Sequence, residues 1–353
     1  MKHFLLTLLV LSSLVLFSQV PSNYYNSANG LTGYALKTQL SSIISNSHNP
    51  HSYSQLYTAY QTSDTDNYFE NDGTVLDMYS EKPNGSDSYN YNHTNSDHCG
   101  NYNSEADCYN REHIMPQSVF SSASPMKADA HFVVPSDGYV NGQRGSLPFG
   151  EVQSASWTST NGSKRGSSAT AGYSGQVFEP IDEFKGDIAR MLLYFATRYE
   201  SQVVNWNHTM LNGTSNQVYS DWFIALLLDW HTNDPVSQRE IDRNNALYNY
   251  QTNANPFIDH PEWVNTIWNP SAHVNNAEFA DNLLVYPNPA KNRIQIKSST
   301  TLSNIVFYNA LGQIVLSQND SNDIDISSLE QGVYICKIID EFGNVGMKKI
   351  IKN

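Results

Sequence analysis

Near residue 271 the spacing of apolar residues changes, and this change excludes one continuous fold for the 353-residue chain. Before it, the segment 181–200 (IDEFKGDIARMLLYFATRYE) has apolar residues three and four positions apart, as an amphipathic helix does. After it, short runs such as RIQIK and VYICKI alternate apolar and polar residues, as a half-buried strand does. The sequence therefore predicts an α+β protein with a mostly helical first domain and a small all-β sandwich behind it.

The N-terminus completes the expected domain organisation. Residues 1–18 contain one early lysine followed by an apolar run, which is the layout of a cleaved signal peptide. The run is shorter than the ~20 residues of a membrane-spanning helix. We expect a signal peptide at 1–18, a first domain at 19–270, a linker at 271–282 and a sandwich at 283–353. The mature protein is then extracellular or on the cell surface, without a membrane span, and we expect a monomer.

Local patterns place individual elements in the first domain. Helices are expected in pieces over residues 32–60, and then at 181–200, 219–233 and 235–252, where Pro235 suits a first helical position. Residues 65–110 are polar and rich in turn formers, with one expected strand at 74–79 (TVLDMY). Helices should therefore dominate the later part of the domain.

The three cysteines fit an exported protein. Cys99 and Cys108 lie close together in a polar stretch and can form a local disulfide, worth about 2–3 kcal/mol, in an oxidising compartment. A zinc site would need more ligands, and the sequence has no second C-x-x-C pair to supply them. Cys336 lies in an apolar alternation, which favours a buried free thiol.

The formal net charge of −14 repels nucleic acid at long range. Taken alone, it argues against a DNA or RNA partner. A local basic patch or a bound divalent cation can still reverse the field at one site. The charge therefore disfavours a nucleic-acid partner without excluding one.

The tripeptide Arg111-Glu112-His113 places a cation, a hard oxygen ligand and a titratable base side by side. Taken alone, it favours a polar loop in which His113 faces solvent and Glu112 pairs with Arg111. Adjacent residues of a regular strand point to opposite faces. Glu112 and His113 can therefore serve one site only from a strand end or a loop, and Pro116 is compatible with a strand that stops there.

The residues around this tripeptide resemble the bacterial endonuclease I family, which comprises secreted or periplasmic nucleases of the ββα-metal (His-Me finger) group. Five blocks carry the resemblance in family order: 73–85, 99–118, 129–152, 177–199 and 229–263. The resemblance implies a ββα-metal core and a largely sequence-nonspecific endonuclease that cleaves DNA and leaves 5′-phosphates, and it leaves open whether RNA is also a substrate. The tail from Val285 (YPNPAKNRIQI, YNALGQIV) resembles the C-terminal sorting domain of type IX secretion cargo, which implies the secretion machinery as a partner.

The same resemblance assigns site residues. It implies His113 as general base and Glu112 and Asn141 as ligands of Mg²⁺, with Mn²⁺ or Ca²⁺ as alternatives. Carboxylate and amide oxygens are hard donors that suit Mg²⁺. If Asn141 begins a helix, Arg144 shares its face and can hold a phosphate oxygen. The alternatives are that Asn141 is a turn residue and that Arg144, like Arg111, is a structural ion-pair partner.

Other residues are expected to support the fold. Asp129 and His131 should be scaffold, and four later carboxylates are expected in caps and buried pairs: Glu179, Asp187, Asp234 and Asp259. Two departures from the family pattern could weaken phosphate contacts. Gln117 stands where lysine is common, and Arg144-Gly145-Ser146 stands where Arg-Ser-Asn is frequent.

These departures and the acidic charge support a rival hypothesis of a different class. In it, the chain is a non-catalytic adhesin or nucleic-acid-binding protein on a degenerate nuclease scaffold. A zinc metalloprotease is disfavoured, because H-E-x-x-H does not occur in the sequence.

Overall fold

The structure is a computed structural model that describes residues 19–269, 279–298, 300–309, 311–319, 321–340 and 345–353. The predicted signal peptide and most of the predicted linker lie outside these residues. The chain separates into two compact units, Met1–Val264 and Asn265–Asn353. The predicted α+β class with an all-β tail is confirmed. Within the described residues, no helix combines the length and the hydropathy that crossing a membrane requires.

The first unit is mostly helical, as predicted. Its helices are α1 Gly33–Asn46, α2 Leu56–Ser63, α3 Gly138–Arg144, α4 Lys185–Arg198, α5 Glu200–Val203, α6 Asp221–Asn233, α7 Gln238–Gln251, α8 Pro256–Asp259 and α9 Glu262–Trp268, the last of which crosses the unit boundary. Its strands are β1 Tyr109–His113, β2 Val133–Asp137, β3 Val152–Thr158, β4 Lys164–Ser168 and β5 Gln176–Glu179.

Helix α4 is the centre of this unit. Its sequence predicts an amphipathic helix, yet both faces are buried, including Arg190 and Thr197. Helices α1, α6 and α8 pack around it, so little of its surface reaches solvent. Buried polar groups on α4 therefore need partners within the protein.

Two local predictions were wrong. Helix α7 does not begin at Pro235. Ser237 caps it, because the Ser237 hydroxyl accepts the Glu240 amide while the Glu240 carboxylate accepts the Ser237 amide. Residues 74–79 form only an isolated bridge and then a turn, since the Asp77 carboxylate accepts the amide of Tyr79 at 2.9 Å and the hydroxyl of Ser80 at 2.9 Å.

The predicted site residues lie on a ββα unit formed by β1, β2 and α3. Strands β1 and β2 pair antiparallel with His113 opposite Val133, and α3 follows β2 directly. Asp137 ends β2 and caps α3 by accepting the amide of Val140 at 2.9 Å. Contacts of α3 with both strands complete the unit. A separate sheet in the order β3-β4-β5 lies elsewhere in the first unit.

Two glycines let a disulfide loop approach α3. The predicted bond between Cys99 and Cys108 is present, with their Cα atoms 4.9 Å apart. A Cβ atom at Gly138 would collide with the Cys99 sulfur, and one at Gly142 would lie 3.0 Å from the Tyr102 hydroxyl. These glycines are four residues apart and therefore lie on the same face of α3. Because neither has a side chain, the disulfide loop can pack closely against that face.

The second unit is the predicted sandwich. Its strands are β6 Leu284–Tyr286, β7 Arg293–Lys297, β8 Leu302–Tyr308, β9 Ile314–Asn319, β10 Asp323–Asp325, β11 Gly332–Asp340 and β12 Val345–Lys352. They form two antiparallel sheets in the orders β10-β7-β6 and β12-β11-β8-β9. Alternate residues such as Ile294 and Ile296 fill the core. Cys336 is a buried free thiol, as predicted, and burial raises its pKa to about 12.

Candidate active site

A cleft of about 530 Å³ opens where β1 ends. The end of β1 forms one wall, α3 forms another, and the disulfide loop closes a third side. All four predicted site residues line it: Glu112, His113, Asn141 and Arg144. Residues that are 32 positions apart in sequence therefore meet at one place because the ββα unit folds α3 back against β1.

His113 is the last residue of β1, so the prediction of a strand end is confirmed. Its Nε2 atom donates a hydrogen bond to the Lys127 carbonyl at 3.1 Å, because a carbonyl can only accept. A neutral imidazole has one N–H, so this bond fixes the proton on Nε2 and leaves Nδ1 as an acceptor. Within the described residues, Nδ1 has no hydrogen-bond partner. The ring also stacks on Tyr53 and lies against Phe120.

The surroundings of His113 favour its neutral form. Burial lowers its pKa to about 4, and the positive charges of Arg144, Arg111 and Lys127 act in the same direction. The hydrogen bond to the Lys127 carbonyl opposes this shift. At neutral pH the imidazole is therefore uncharged and able to accept a proton.

Glu112 lies one residue earlier and is 2% exposed. Its Oε1 atom accepts the Tyr79 hydroxyl at 3.0 Å and forms an ion pair with Arg144 at 3.0 Å. Burial raises the pKa of Glu112, while the charge of Arg144 and the Tyr79 hydrogen bond lower it. The partner of Glu112 is thus Arg144 and not Arg111.

Alternation along β1 places the side chains of Glu112 and His113 on opposite faces of the strand. Asn110 and Glu112 belong to one face of the strand and contact residues of α3, whereas Arg111 and His113 contact Tyr53 on the other side. Because the strand ends at His113, the cleft reaches both faces. This resolves how adjacent residues of a strand line a single site.

Asn141 lies in the middle of α3 and does not begin it, and Arg144 follows three residues later in the same helix. Asp137 caps the helix instead, four residues earlier. The Asn141 side chain donates from Nδ2 to Oδ1 of Asn110 at 2.7 Å. Its own Oδ1 accepts no hydrogen bond within the described residues, which leaves a hard oxygen donor at the cleft.

Arg144 is the last residue of α3 and is 1% exposed. Its terminal nitrogens donate to the carbonyls of His113 at 2.8 Å and Ile114 at 2.7 Å, and the guanidinium pairs with Glu112. It therefore holds the end of β1 and the Glu112 carboxylate together. Contact with a phosphate, which the sequence predicts for Arg144, stays a prediction.

Arg111 contacts aromatic residues. Its guanidinium lies 3.7 Å from the ring centroid of Tyr53 and 4.5 Å from that of Tyr57, and it donates to the Tyr53 carbonyl at 3.0 Å. Arg111 also lines the cleft. Its charge lies beside the site even though the chain as a whole is acidic.

Both departures from the family pattern lie at the cleft. Gln117 and Ser146 are in its lining. The hydroxyls of Ser118 and Ser146 are 3.2 Å apart and bridge the two segments that follow β1 and α3. Glutamine at position 117 gives this wall no charge, whereas a lysine there would add a positive one.

The remaining predicted residues are structural in this geometry. Asp129 is fully buried and accepts the hydroxyls of Tyr194 at 2.9 Å and Tyr199 at 2.7 Å, while His131 donates to the Asn253 carbonyl at 2.9 Å. The later carboxylates lie in pairs and caps: Glu179 with Lys185, Asp187 with Arg239, Asp234 with the Gly186 amide, and Asp259 with Tyr25.

Sequence reasoning missed three neighbours of the site. Asn110 could have been found, because it lies two residues before Glu112 and therefore on the same strand face. Tyr79 and Tyr53 reach the site through tertiary contacts with Glu112 and His113, and no spacing in the sequence signals these contacts.

The residues at the cleft fit a divalent cation of the magnesium type. Glu112 offers a carboxylate, and the Asn141 amide is oriented by Asn110 so that its oxygen is left over. Mg²⁺ prefers such oxygen donors and needs only one or two from the protein, since it retains several waters.

Comparison with known proteins decides the family. The sequence model described as Endonuclease I matches residues 32–262, which is more than half of the chain. The chain belongs to the endonuclease I family. An extracellular ribonuclease of Bacillus amyloliquefaciens is 34% identical to this family member over 264 residues, which cover 73% of this chain and 82% of that protein. An extracellular ribonuclease of Bacillus subtilis (strain 168) is 36% identical over 253 residues, covering 69% and 78%.

The tail also has relatives. Residues 284–353 match the model described as Secretion system C-terminal sorting domain. This endonuclease I family member is therefore a secreted or cell-surface nuclease, a phosphodiester hydrolase, with a type IX sorting domain. A solved structure of PorZ, a type-IX secretion system component of Porphyromonas gingivalis, is 14% identical over 22% of this chain and 12% of its own, with a TM-score of 0.19, too low to support any conclusion.

Proposed function

We propose that the chain is a metal-dependent, largely sequence-nonspecific endonuclease that hydrolyses both RNA and DNA, with His113 as general base. The observation that carries this proposal is the convergence of three groups on one cleft. They are the acceptor Nδ1 of His113, the carboxylate of Glu112 and the amide oxygen of Asn141.

His113 accepts the proton of the attacking water. Nε2 is held by the Lys127 carbonyl, so the proton moves to Nδ1 as the water oxygen bonds to phosphorus. The bond from phosphorus to the 3′ oxygen breaks, which leaves a 5′-phosphate and, after proton uptake, a 3′-hydroxyl. The lowered pKa keeps His113 neutral, as this role requires.

Glu112 and Asn141 hold the cation, Mg²⁺ in this proposal. When bound, the ion supplies Lewis-acid stabilisation of the phosphate oxygens and of the departing 3′ oxygen. Tyr79 and Arg144 position the Glu112 carboxylate through its Oε1 atom. Arg144 additionally fixes the backbone of His113 and Ile114, so one side chain orients both the ligand and the base.

The chemistry of the site favours broad substrate use. A base and a metal ion act on phosphate and sugar, which carry no base sequence. The names of the two Bacillus relatives support RNA as a substrate. A cation held by Glu112 and Asn141 would, together with Arg111 in the lining of the cleft, offset the net charge of −14 where a phosphate must approach.

The test is digestion of supercoiled plasmid and of a structured RNA by the purified mature protein. Each substrate is incubated with Mg²⁺ in excess over the protein, and separately in the same buffer with EDTA in excess over the Mg²⁺. We expect both substrates to be cut internally with Mg²⁺ and to survive in EDTA. If the protein binds plasmid and RNA but cuts neither, the rival hypothesis of a non-catalytic binding protein replaces the proposal. If both substrates are cut equally fast in EDTA, the proposal that cleavage depends on a metal ion is wrong.

A further inference from the structure

A group of carboxylates lies in the turn-rich segment between α2 and β1, away from the residues that line the cleft. One oxygen each of Asp66, Glu70 and Glu81 lies within 4.8 Å of the other two. Asp87 is near enough to raise the pKa of Glu81 by its charge. In the part of the chain that the structure describes, no ion pair joins any of the four to a lysine, arginine or histidine.

Glu81 provides an independent sign of a ligand. It is 2% exposed, and its buried Oε1 atom has no hydrogen-bond partner within the described residues. The Oε2 atom of Glu70, a residue that is itself not buried, also has no hydrogen-bond partner within the described residues. Burial raises the pKa of Glu81 to about 9, and Asp87, Glu70 and Asp66 add to the rise. Buried carboxylates without partners are unfavourable unless a cation neutralises them.

Asp66 is already oriented for binding. Its Oδ1 atom accepts the amides of Tyr68 and Phe69 and its Oδ2 atom accepts the amide of Asn71, each at 3.0 Å. These bonds fix the carboxylate without neutralising it, since each amide carries only a partial charge. A ligand whose orientation is set before binding loses little entropy when the ion arrives.

We infer that Asp66, Glu70 and Glu81 bind a Ca²⁺ ion at a second site, separate from the catalytic cleft. Ca²⁺ takes about six to eight oxygen ligands in a flexible geometry, whereas Mg²⁺ demands a near-ideal octahedron and keeps several waters, so a cluster of three carboxylates favours Ca²⁺. A secreted protein meets enough Ca²⁺ to fill sites with dissociation constants of about 10⁻⁴–10⁻³ M. Asp87 adds negative charge beside the ion.

This ion stabilises a turn that reaches the catalytic cleft. The Glu81 amide donates to the Asp77 carbonyl at 2.9 Å, which closes the turn containing Tyr79. The Tyr79 hydroxyl in turn donates to Glu112 at 3.0 Å. An ion that fixes Glu81 therefore also fixes the turn that carries Tyr79, whose hydroxyl orients Glu112. The ion itself takes no part in hydrolysis.

The experiment measures Ca²⁺ binding calorimetrically and thermal unfolding in EGTA and in about 10 mM CaCl₂, with the mature two-unit protein. Glu112→Gln is introduced into every sample, so that Ca²⁺ at the cleft does not contribute. We expect one Ca²⁺ per chain and a rise in Tm of about 3–10 °C. Asp72→Asn is the matched control, because Asp72 is an exposed carboxylate of the same loop outside the cluster, and it should keep the full rise.

Glu81→Gln should abolish the binding and the rise in Tm. In EGTA it should unfold at the same temperature as its parent or above it, because the amide is neutral and has nearly the shape of the protonated carboxyl group that it replaces. A loss of stability in both conditions would indicate a merely structural role and would overturn the inference, as would an unchanged response to Ca²⁺. Should Glu81→Gln fail to fold, Glu70→Gln replaces it, with an expected loss in Ca²⁺ affinity of at least about 10-fold. A response to Mg²⁺ but not to Ca²⁺ would contradict the assignment of the ion.

Discussion

The two units of this molecule differ in how many charged side chains they bury. The first unit buries charged side chains in its interior, among them Glu112, Asp129, Arg144 and Arg190. In the described part of the second unit, Asp340 is the only charged residue buried to that degree, and the core is aliphatic and aromatic. Burying charge is unfavourable unless each group has a partner. The contrast teaches that the ion pair of Glu112 and Arg144 at the cleft is buried at a cost in stability, whereas the described core of the sorting domain is almost wholly apolar.

Among the predictions that compare the two units, the largest effect is expected from Glu112. Glu112→Gln keeps the shape of the side chain but removes the negative charge that we propose binds the cation, so activity should fall at least about 100-fold. Glu330→Gln makes the same change at an exposed position of the second unit and should leave the rate unchanged. Initial rates of RNA cleavage at saturating Mg²⁺ provide the measurement. Equal rates for the two variants would show that buried charge in the first unit does not support catalysis.

Arg144 comes next. Arg144→Met leaves Glu112 buried without its partner, which should cost about 3–5 kcal/mol of stability. Arg144→Lys keeps the charge and should lower kcat about 10- to 100-fold, because it cannot hold the His113 and Ile114 carbonyls together. Chemical denaturation and steady-state kinetics measure these effects.

The steady-state kinetics of the Arg144 variants distinguish two roles for this residue. A change in kcat with an unchanged KM supports positioning, whereas a rise in KM alone supports the phosphate contact. Arg293 of the second unit is the comparison, since its ion pair with Asp323 is exposed. Arg293→Met should affect neither stability nor kinetics appreciably, and a loss as large as that of Arg144→Met would contradict the contrast between the units.

The pH profile should reflect the burial of His113. A base works only when it is neutral, so activity is lost as the pH falls through the pKa of His113. That pKa is lowered by burial from 6.5 to about 4. The acidic limb of kcat/KM should therefore lie below pH 6.5, and activity at pH 6.5 should be close to its plateau. A limb centred at or above 6.5 would indicate a solvent-exposed histidine or another base.

The smallest effect concerns substrate affinity. Gln117→Lys places a cation on the cleft wall, and KM for RNA should fall about 3- to 10-fold at low salt and less at high salt. Gln295→Lys adds the same charge to an exposed position of β7 in the second unit and should not alter KM. Equal decreases for both would mean that net charge, and not its position at the cleft, controls binding.

Much of the fold could be predicted because it follows from local periodicity. Alternation in RIQIK placed Ile294 and Ile296 in the core, and three-and-four spacing located α4. The strand predicted at 74–79 failed because the Asp77 side chain folds that segment into a turn, a competition that alternation does not show.

The site was predictable only in part. Opposite strand faces correctly required Glu112 and His113 to lie at a strand end. The ion pair of Glu112 with Arg144, rather than with its neighbour Arg111, depends on how α3 returns to β1. Tyr79 and Tyr53 likewise reach the site from distant segments, and no local rule predicts such contacts.

The central claim is that His113 is the general base, and the most direct measurement is the single-turnover cleavage rate of His113→Ala on RNA and on plasmid at saturating Mg²⁺. Substrate binding and Tm are measured on the same samples to show that the variant is folded and loaded. We predict a fall in rate of about 10²- to 10⁴-fold with binding retained. Near wild-type rates from a folded His113→Ala would contradict the assignment of the base.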